Sequence, residues 1–299
     1  MPPSPPNHRP TIVGLGEVLW DLLPEGKQFG GAPANFAYHA KQFGADAHVV
    51  SAVGDDELGR EILARLDGLG VNRRLVAVDA DHPTGTVSVE LDEHGKPDFT
   101  IHTGVAWDFI PDVPGLEELA ARTDAVCFGS LAQRSEVSQA TIRRFLEAAG
   151  NGCLRVFDIN LRQHYFDAEI IAASLGHADV LKLNDDELPV VADLLSLPAD
   201  EGPFLDAVLR QYDLTLVALT KGANGSVLRS RDGTSAVPGT RVNVADTVGA
   251  GDSFTGAVVM GLLAGWELDA IHRRANDVAA YVCTQSGATP DLPEHLVRF

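Results

Sequence analysis

The sequence predicts an α/β protein: three layers, a mostly parallel central sheet covered by helices on both faces, with a small β lid. Two observations carry this. From Asp124 onward, short apolar runs at residues 125–128, 154–159, 180–183 and 214–220 alternate with helix-length stretches at 137–149, 185–195 and 203–211. Continuous apolar strands joined by helices belong to parallel sheets buried on both faces. The stretch 84–102 has another texture: Thr86-Val87-Ser88-Val89-Glu90-Leu91 alternates, Asp92-Glu93-His94-Gly95 turns, and Pro97 to His102 returns. That is a hairpin with one wet face, inserted as a lid.

In chain order, residues 1–10 predict a disordered proline-rich leader and 11–299 one domain, with the lid supplied mainly by about 84–104. Residues 11–16 form a buried strand ending in glycine, and 34–43 a helix after Gly30-Gly31. The next strand is 47–53. The helix 56–69 is amphipathic, with Leu58, Ile62, Leu66 and Leu69 on one face. Two helices, after Asp252 and after Leu268, complete the fold.

At 299 residues, with 45% apolar and 22% charged side chains, the chain is long enough to bury one large core. A formal charge of −19 argues against nucleic acid or an anionic membrane as partner. The same charge obliges any phosphate chemistry to rely on local amides, a metal ion and a few cations. Cys127, Cys153 and Cys283 have no paired spacing and fall among apolar residues, which suits buried thiols in a reducing cytosol. No run reaches membrane-spanning length, and the leader lacks the pattern of a signal peptide. The expected location is cytoplasmic.

In open α/β sheets ligands gather at the carboxyl ends of the strands, and the polar clusters sit there. Asp158-Ile159-Asn160-Leu161-Arg162 closes one strand, Asn184 another, and Thr220-Lys221-Gly222 a third. Position 19 is Leu19, so Gly14-Leu15-Gly16 is not the start of a dinucleotide fingerprint, and no P-loop or His-Glu-x-x-His is present. The most informative stretch is Asp246-Thr247-Val248-Gly249-Ala250-Gly251-Asp252-Ser253-Phe254. Glycines at a loop-to-helix junction expose backbone amides to an anion, and the helix dipole adds partial positive charge. An acid just behind them can take a proton from an attacking hydroxyl, the arrangement phosphoryl transfer needs. Asp252 is equally a favoured helix cap.

Taken together, the motifs resemble the ribokinase-like (PfkB-type) family of carbohydrate kinases, most closely its fructokinase-type members. The resemblance covers nearly the whole chain. It implies that Gly249, Ala250 and Gly251 form the anion hole and that Asp252 is the catalytic base, also touching the substrate. Gly30-Gly31-Ala32-Pro33-Ala34-Asn35 resembles the N-terminal signature, which puts Gly30, Gly31 and Asn35 at the sugar. Sugars are recognised through hydroxyls by carboxylates and amides. Glu17 to Asp21 puts two acids at the end of the first strand, Asp21 being the candidate for gripping sugar hydroxyls. Arg162 is placed at the sugar, while Asp158 beside it could equally be a buried structural acid. Trp107 either covers the sugar's apolar face or packs in the core.

Asn184-Asp185-Asp186-Glu187 is similar to the family's Asn-x-x-Glu, with Asn184 near the phosphates and Glu187 holding Mg²⁺ through water. The same pattern also reads as a helix-start cap. Thr220, Gly222 and Gly225 resemble the nucleotide loop. Asn276 falls where similar enzymes enclose adenine, or is simply a polar helix position. Backbone carbonyls around Asp246 and near Ser286 would hold a monovalent cation such as K⁺. The implied reaction uses ATP with Mg²⁺ to phosphorylate a small sugar: fructose first, then 2-keto-3-deoxygluconate, then ribose or a nucleoside. A non-catalytic sugar or nucleotide sensor is the alternative of another class. The lid's apolar face predicts a homodimer.

Overall fold

The computed structural model describes residues 9–24, 26–91 and 97–298. Residues 1–8 of the leader, Glu25, the hairpin turn 92–96 and Phe299 lie outside them. The strands are β1 (Thr11–Leu15), β2 (Leu19–Leu23), β3 (Gly26–Gly30), β4 (Asp46–Gly54), β5 (Asn72–Asp79), β6 (Thr86–Leu91), β7 (Pro97–Ile101), β8 (Ala125–Phe128), β9 (Leu154–Asp158), β10 (Val180–Asn184), β11 (Leu216–Thr220), β12 (Ser226–Ser230) and β13 (Thr234–Val237). The helices are α1 (Ala32–Gln42), α2 (Glu57–Leu69), α3 (Leu116–Ala121), α4 (Glu136–Ala148), α5 (Ala168–His177), α6 (Glu187–Leu195), α7 (Glu201–Gln211), α8 (Ala250–Leu263), α9 (Leu268–Cys283) and α10 (Glu294–Val297).

Nine strands form one sheet in the order β13-β12-β11-β10-β9-β8-β1-β4-β5. Pairing is parallel from β11 through β5, and the β11–β12 and β12–β13 pairings are antiparallel. Helices bury both faces, so successive residues of one strand serve different cores. On β1, Ile12 packs with Phe36, Phe254 and Val278 from α1, α8 and α9, whereas Val13 and Leu15 join Ile142, Phe145 and Val208 from α4 and α7. A third cluster seats Ile62 and Leu66 of α2 against Val49 and Val53 of β4. This two-sided burial is why the strands read as continuous apolar runs. No described helix is long and apolar enough to cross a membrane.

The lid is larger than the sequence suggests. It is a four-stranded sheet ordered β3-β2-β6-β7, so half of it comes from residues 19–30, to which the sequence reading assigned no strand. β2 joins β3 antiparallel and β6 parallel, which ties the two halves together. A parallel pair between segments far apart in the chain leaves no local turn signal. β5, β12 and β13 also escaped the sequence reading: each lies at or near a sheet edge, and in β5 and β13 most side chains are exposed or half-exposed.

Trp107 corrects an expectation. Its side chain is fully buried in the main core, with the Arg134 guanidinium stacked 4.0 Å from the ring centroid. A Cβ added at Gly85, where the chain enters β6, would collide with the indole Nε1. Trp107 therefore packs beneath the lid's root and presents no face to a ligand.

Candidate active site

Three chain segments meet around Asp252: the turn after β1 with the start of α1, the loop after β9, and the start of α8. α8 begins at Gly249, whose φ of +78° is left-handed. A Cβ there would collide with the Ala288 carbonyl, so only glycine fits. The first-turn amides of a helix have no intrahelical acceptor. Ala250 N–H donates to Thr247 O at 3.3 Å, and the amides of Gly249, Gly251 and Asp252 have no acceptor among the described residues. The sequence placed the anion hole on Gly249, Ala250 and Gly251; Ala250 is the member already engaged.

Asp252 sits in the first turn of α8 and accepts a hydrogen bond from Asn35 Nδ2 at 2.8 Å. Burial pushes its carboxyl up to about 6, and the Asp158 charge adds to the rise. The Asn35 bond and the Lys182 and Arg162 charges act the other way. Asn35 is carried by α1, whose Gly31 cap has φ +115° and lies where a Cβ would come 2.5 Å from the Glu17 carbonyl. Asn35 Oδ1 is buried without a hydrogen-bond partner.

Two acids line the same corner. Asp21 lies on β2 beside Gly30, where a Cβ would stand 2.7 Å from Asp21 Oδ2. Burial pushes Asp21 up to about 6, opposed by the Arg162 charge. Glu17, in the turn after β1, is 4% exposed, and its Oε2 has no hydrogen-bond partner. Burial raises Glu17 to about 7 even though backbone amides and Arg162 lower it. The sequence reading noted this acid without choosing it; its position immediately after the first strand was the available signal. Unpaired buried carboxylate and amide oxygens are what a hydroxyl-bearing ligand would satisfy.

Arg162 follows β9 in an exposed loop bracketed by Asn160 at φ +44° and Gln163 at φ +48°. Two non-glycine residues in left-handed geometry are costly and hold this loop in one shape. Arg162 donates only to Leu161 O, at 3.1 Å, and makes no ion pair among the described residues.

Asn184 and Glu187 cap α6 reciprocally: Asn184 Oδ1 accepts from Glu187 N and Glu187 Oε2 accepts from Asn184 N, both at 2.8 Å. Glu187 Oε1 takes Leu161 N at 2.8 Å, fastening the Arg162 loop to the same cap. Both oxygens of Glu187 are thus engaged, so only their outer lone pairs remain for a metal-bound water. Among the described residues no group of three acidic, His or Cys side chains could hold a metal by itself. Such a donor set fits Mg²⁺ that arrives with phosphates and keeps its waters.

Thr220 ends β11 with its hydroxyl 3.4 Å from Leu183 O. Gly222 (φ +50°) opens the following turn with open space around it, and Gly225 (φ +93°) packs against the Val237 carbonyl. Asn276 lies half-buried on α9. Its Oδ1 accepts from Ser226 Oγ and its Nδ2 donates to His272 O, both at 2.9 Å, so its amide seats α9 on β12. Asp246 uses its side chain, accepting from Val248 N at 3.0 Å and Gly287 N at 3.1 Å, which joins the turn before α8 to the loop after α9.

Comparison with known proteins agrees with this geometry. The family model for pfkB family carbohydrate kinases matches residues 25–295. A fructokinase from Klebsiella pneumoniae is 32% identical, covering 93% of this chain and 95% of its own. Fructokinase-1 from Oryza sativa subsp. japonica is 30% identical, covering 94% of each. Among solved structures, fructokinase from Vibrio cholerae O395 in its fructose-, ADP- and calcium-bound form superposes with a TM-score of 0.81 at 25% identity, covering 96% of this chain and 97% of that one. The turn into α8, with Asp252 in the helix's first turn and Glu17, Asp21 and Asn35 beside it, stands in a chain that belongs to the pfkB family of carbohydrate kinases.

Proposed function

We propose that this kinase transfers the γ-phosphoryl group of ATP to a hydroxyl of fructose, with Asp252 as the base. The observation that carries the reading is the joint position of Asp252: beside the unpaired amides of Gly249 and Gly251, and bonded to Asn35 of the sugar-side helix. Asp252 takes the proton of the attacking hydroxyl while the amides stabilise charge on the transferring group. Glu17, Asp21 and the free Asn35 Oδ1 accept from sugar hydroxyls, and Arg162 donates. The nucleotide lies toward Asn184, Thr220, Gly222 and Gly225. Mg²⁺ neutralises phosphate charge, with Glu187 holding its water shell. Asp246 fixes the loop whose carbonyls would take K⁺. Fructose is first because the relatives named above are fructokinases.

Arg162 is unpaired, which favours a sugar acid such as 2-keto-3-deoxygluconate as the second reading. The test is ADP release with Mg²⁺ and ATP over fructose, 2-keto-3-deoxygluconate, ribose, glucose and adenosine, with Asp252→Asn alongside. Fructose should give the highest kcat/KM, and Asp252→Asn should lose about 10²–10⁴-fold in kcat. Higher kcat/KM with the sugar acid transfers the assignment to the second reading; near-wild-type kcat in Asp252→Asn removes the base.

A further inference from the structure

Beneath the anion-binding turn lies an ion pair with no part in the reaction as described so far. Lys182 of β10 stands in register with Asp158 of β9, on the sheet face covered by α8. Its Nζ is 3.0 Å from Asp158 Oδ1, and Asp158 Oδ2 accepts from Thr255 Oγ1 of α8 at 3.1 Å. Lys182 is 7% exposed and Asp158 4%, with Val180, Phe254 and Val258 packed around them. A sealed ion pair generally stabilises a fold no better than apolar residues of the same volume. Stability therefore leaves this pair unexplained, but its position does not. Lys182 Nζ lies 3.0 Å from where a Cβ of Gly251 would be, directly behind the anion-binding backbone and one residue from Asp252.

We propose that Lys182 is a positioning residue for phosphoryl transfer: its buried ammonium backs the N-terminal turn of α8, keeping Asp252 ionised and adding positive potential at the transferring group. The proposal rests on Asp252 as base. Asp252 faces Asn35 from α1, Asp158 from β9, Lys182 from β10 and Arg162 from the loop after β9, and it interacts with Glu17 after β1. Glu187 of α6 bears on Lys182 as well. Lys182 and Arg162 are the only cations in that set, and Lys182 alone is buried. Burial works against its charge, but Asp158, Glu187 and Asp252 outweigh it and hold the ammonium above its ordinary range. Without Lys182, the Asp158 charge would bear on Asp252 opposed only by Arg162 and the Asn35 bond, and Asp252 would hold its proton to higher pH.

The experiment is the pH dependence of kcat/KM for ADP release with the best sugar, in Lys182→Met, Asp158→Asn, Asp252→Asn and wild type. Wild type should show an acid limb near the Asp252 value of about 6. Lys182→Met should move that limb up by at least about one pH unit, and Asp158→Asn should move it down, with the KM for ATP within about threefold. A role confined to packing lowers the active fraction in both variants and moves neither limb. An unshifted limb in Lys182→Met, or shifts of the same sign in both, overturns the proposal. Where Lys182→Met fails to fold, Lys182→Met/Asp158→Asn removes both charges: a fall of about tenfold or more in kcat supports the proposal, and unchanged kcat overturns it. An active Asp252→Asn removes the base assignment and this proposal with it. An inactive Asp252→Asn with an unshifted Lys182→Met limb overturns only the role of Lys182.

Discussion

Glu17 is buried where its Oε2 has no hydrogen-bond partner, and the cost depends on pH. Below its ordinary value of 4.5 the carboxyl is protonated in both the folded and unfolded chain, and folding is not opposed. As pH rises, the unfolded chain ionises first. The resulting penalty grows until the folded value of about 7 is passed, then stays at full size. At about 1.4 kcal/mol per unit, that displacement amounts to roughly 3 kcal/mol at its upper bound. A residue held at such cost in a corner also lined by Asp21 and Asn35 is best explained by what it binds. Glu17→Gln should therefore melt a few degrees higher than wild type at pH 8, with the gap nearly closed at pH 4.5. In the same variant the KM for sugar should rise about tenfold while that for ATP stays put. Melting curves at the two pH values, with kinetics, check both halves. A gap that does not depend on pH would mean that Glu17 titrates alike in the folded and unfolded chain, so that burial exacts no cost on its charge.

At the scale of elements, the turn into α8 is set by contacts behind it as much as by its own glycines. The Ala288 carbonyl abuts Gly249 and lies 2.9 Å from His39 Nε2, a fully buried ring that burial lowers to about 4 and so keeps neutral. α1 thus fixes the loop that braces the turn into α8. Gly249→Ala meets both a left-handed φ and that carbonyl, and should lose about 10²–10³-fold in kcat. Gly265→Ala, at φ +71° with open space around it, is the control. It should cost only about 1–2 kcal/mol of stability and leave kcat unchanged. Equal kcat in the two variants would separate the turn from catalysis. This scale also shows what was legible in the sequence. The glycine turn, the Gly30-Gly31 cap and the strands buried on both faces were readable, because each has a local signature. The sheet that β2 and β3 form with β6 was not, since the β2–β6 pairing joins distant segments. Lys182 interrupts the apolar run Val180-Leu181-Lys182-Leu183, and a charge inside a buried strand was the available clue. Only the fold shows that it stands behind Gly251. Trp107 was misplaced for the complementary reason: an aromatic near a lid looks the same whether it faces a ligand or a neighbour.

Over the whole molecule, the ends of β1, β9, β10 and β11 open on one side of the sheet, where the lid sheet supplies Asp21 and Gly30. The lid's second half is pinned at both roots. On entry, Asp56 Oδ1 accepts from Thr84 Oγ1 at 2.6 Å and Oδ2 from Thr84 N at 2.8 Å. On return, Arg134 makes a two-point pair with Asp108 at 2.7 and 3.0 Å and donates to His102 O at 2.6 Å. Its guanidinium lies between the rings of Trp107 and Tyr165, and the Tyr165 hydroxyl reaches Ile101 O on β7 at 3.2 Å. Both partners of the Arg134–Asp108 pair have side chains only 6% exposed, so breaking it one-sidedly strands a charge. Arg134→Met alone should cost about 3–5 kcal/mol. Arg134→Met/Asp108→Asn removes that penalty while keeping an acceptor for the Gly104 and Val105 amides, which Asp108 now caps. The double variant should fold with near-wild-type stability yet hold the lid loosely. The KM for sugar then rises several-fold, the KM for ATP does not, and ATP hydrolysis in the absence of sugar increases because water is less well excluded. Chemical denaturation and the two kinetic assays measure this directly. A double variant with unchanged sugar KM would show that the lid's anchorage has no part in holding the sugar.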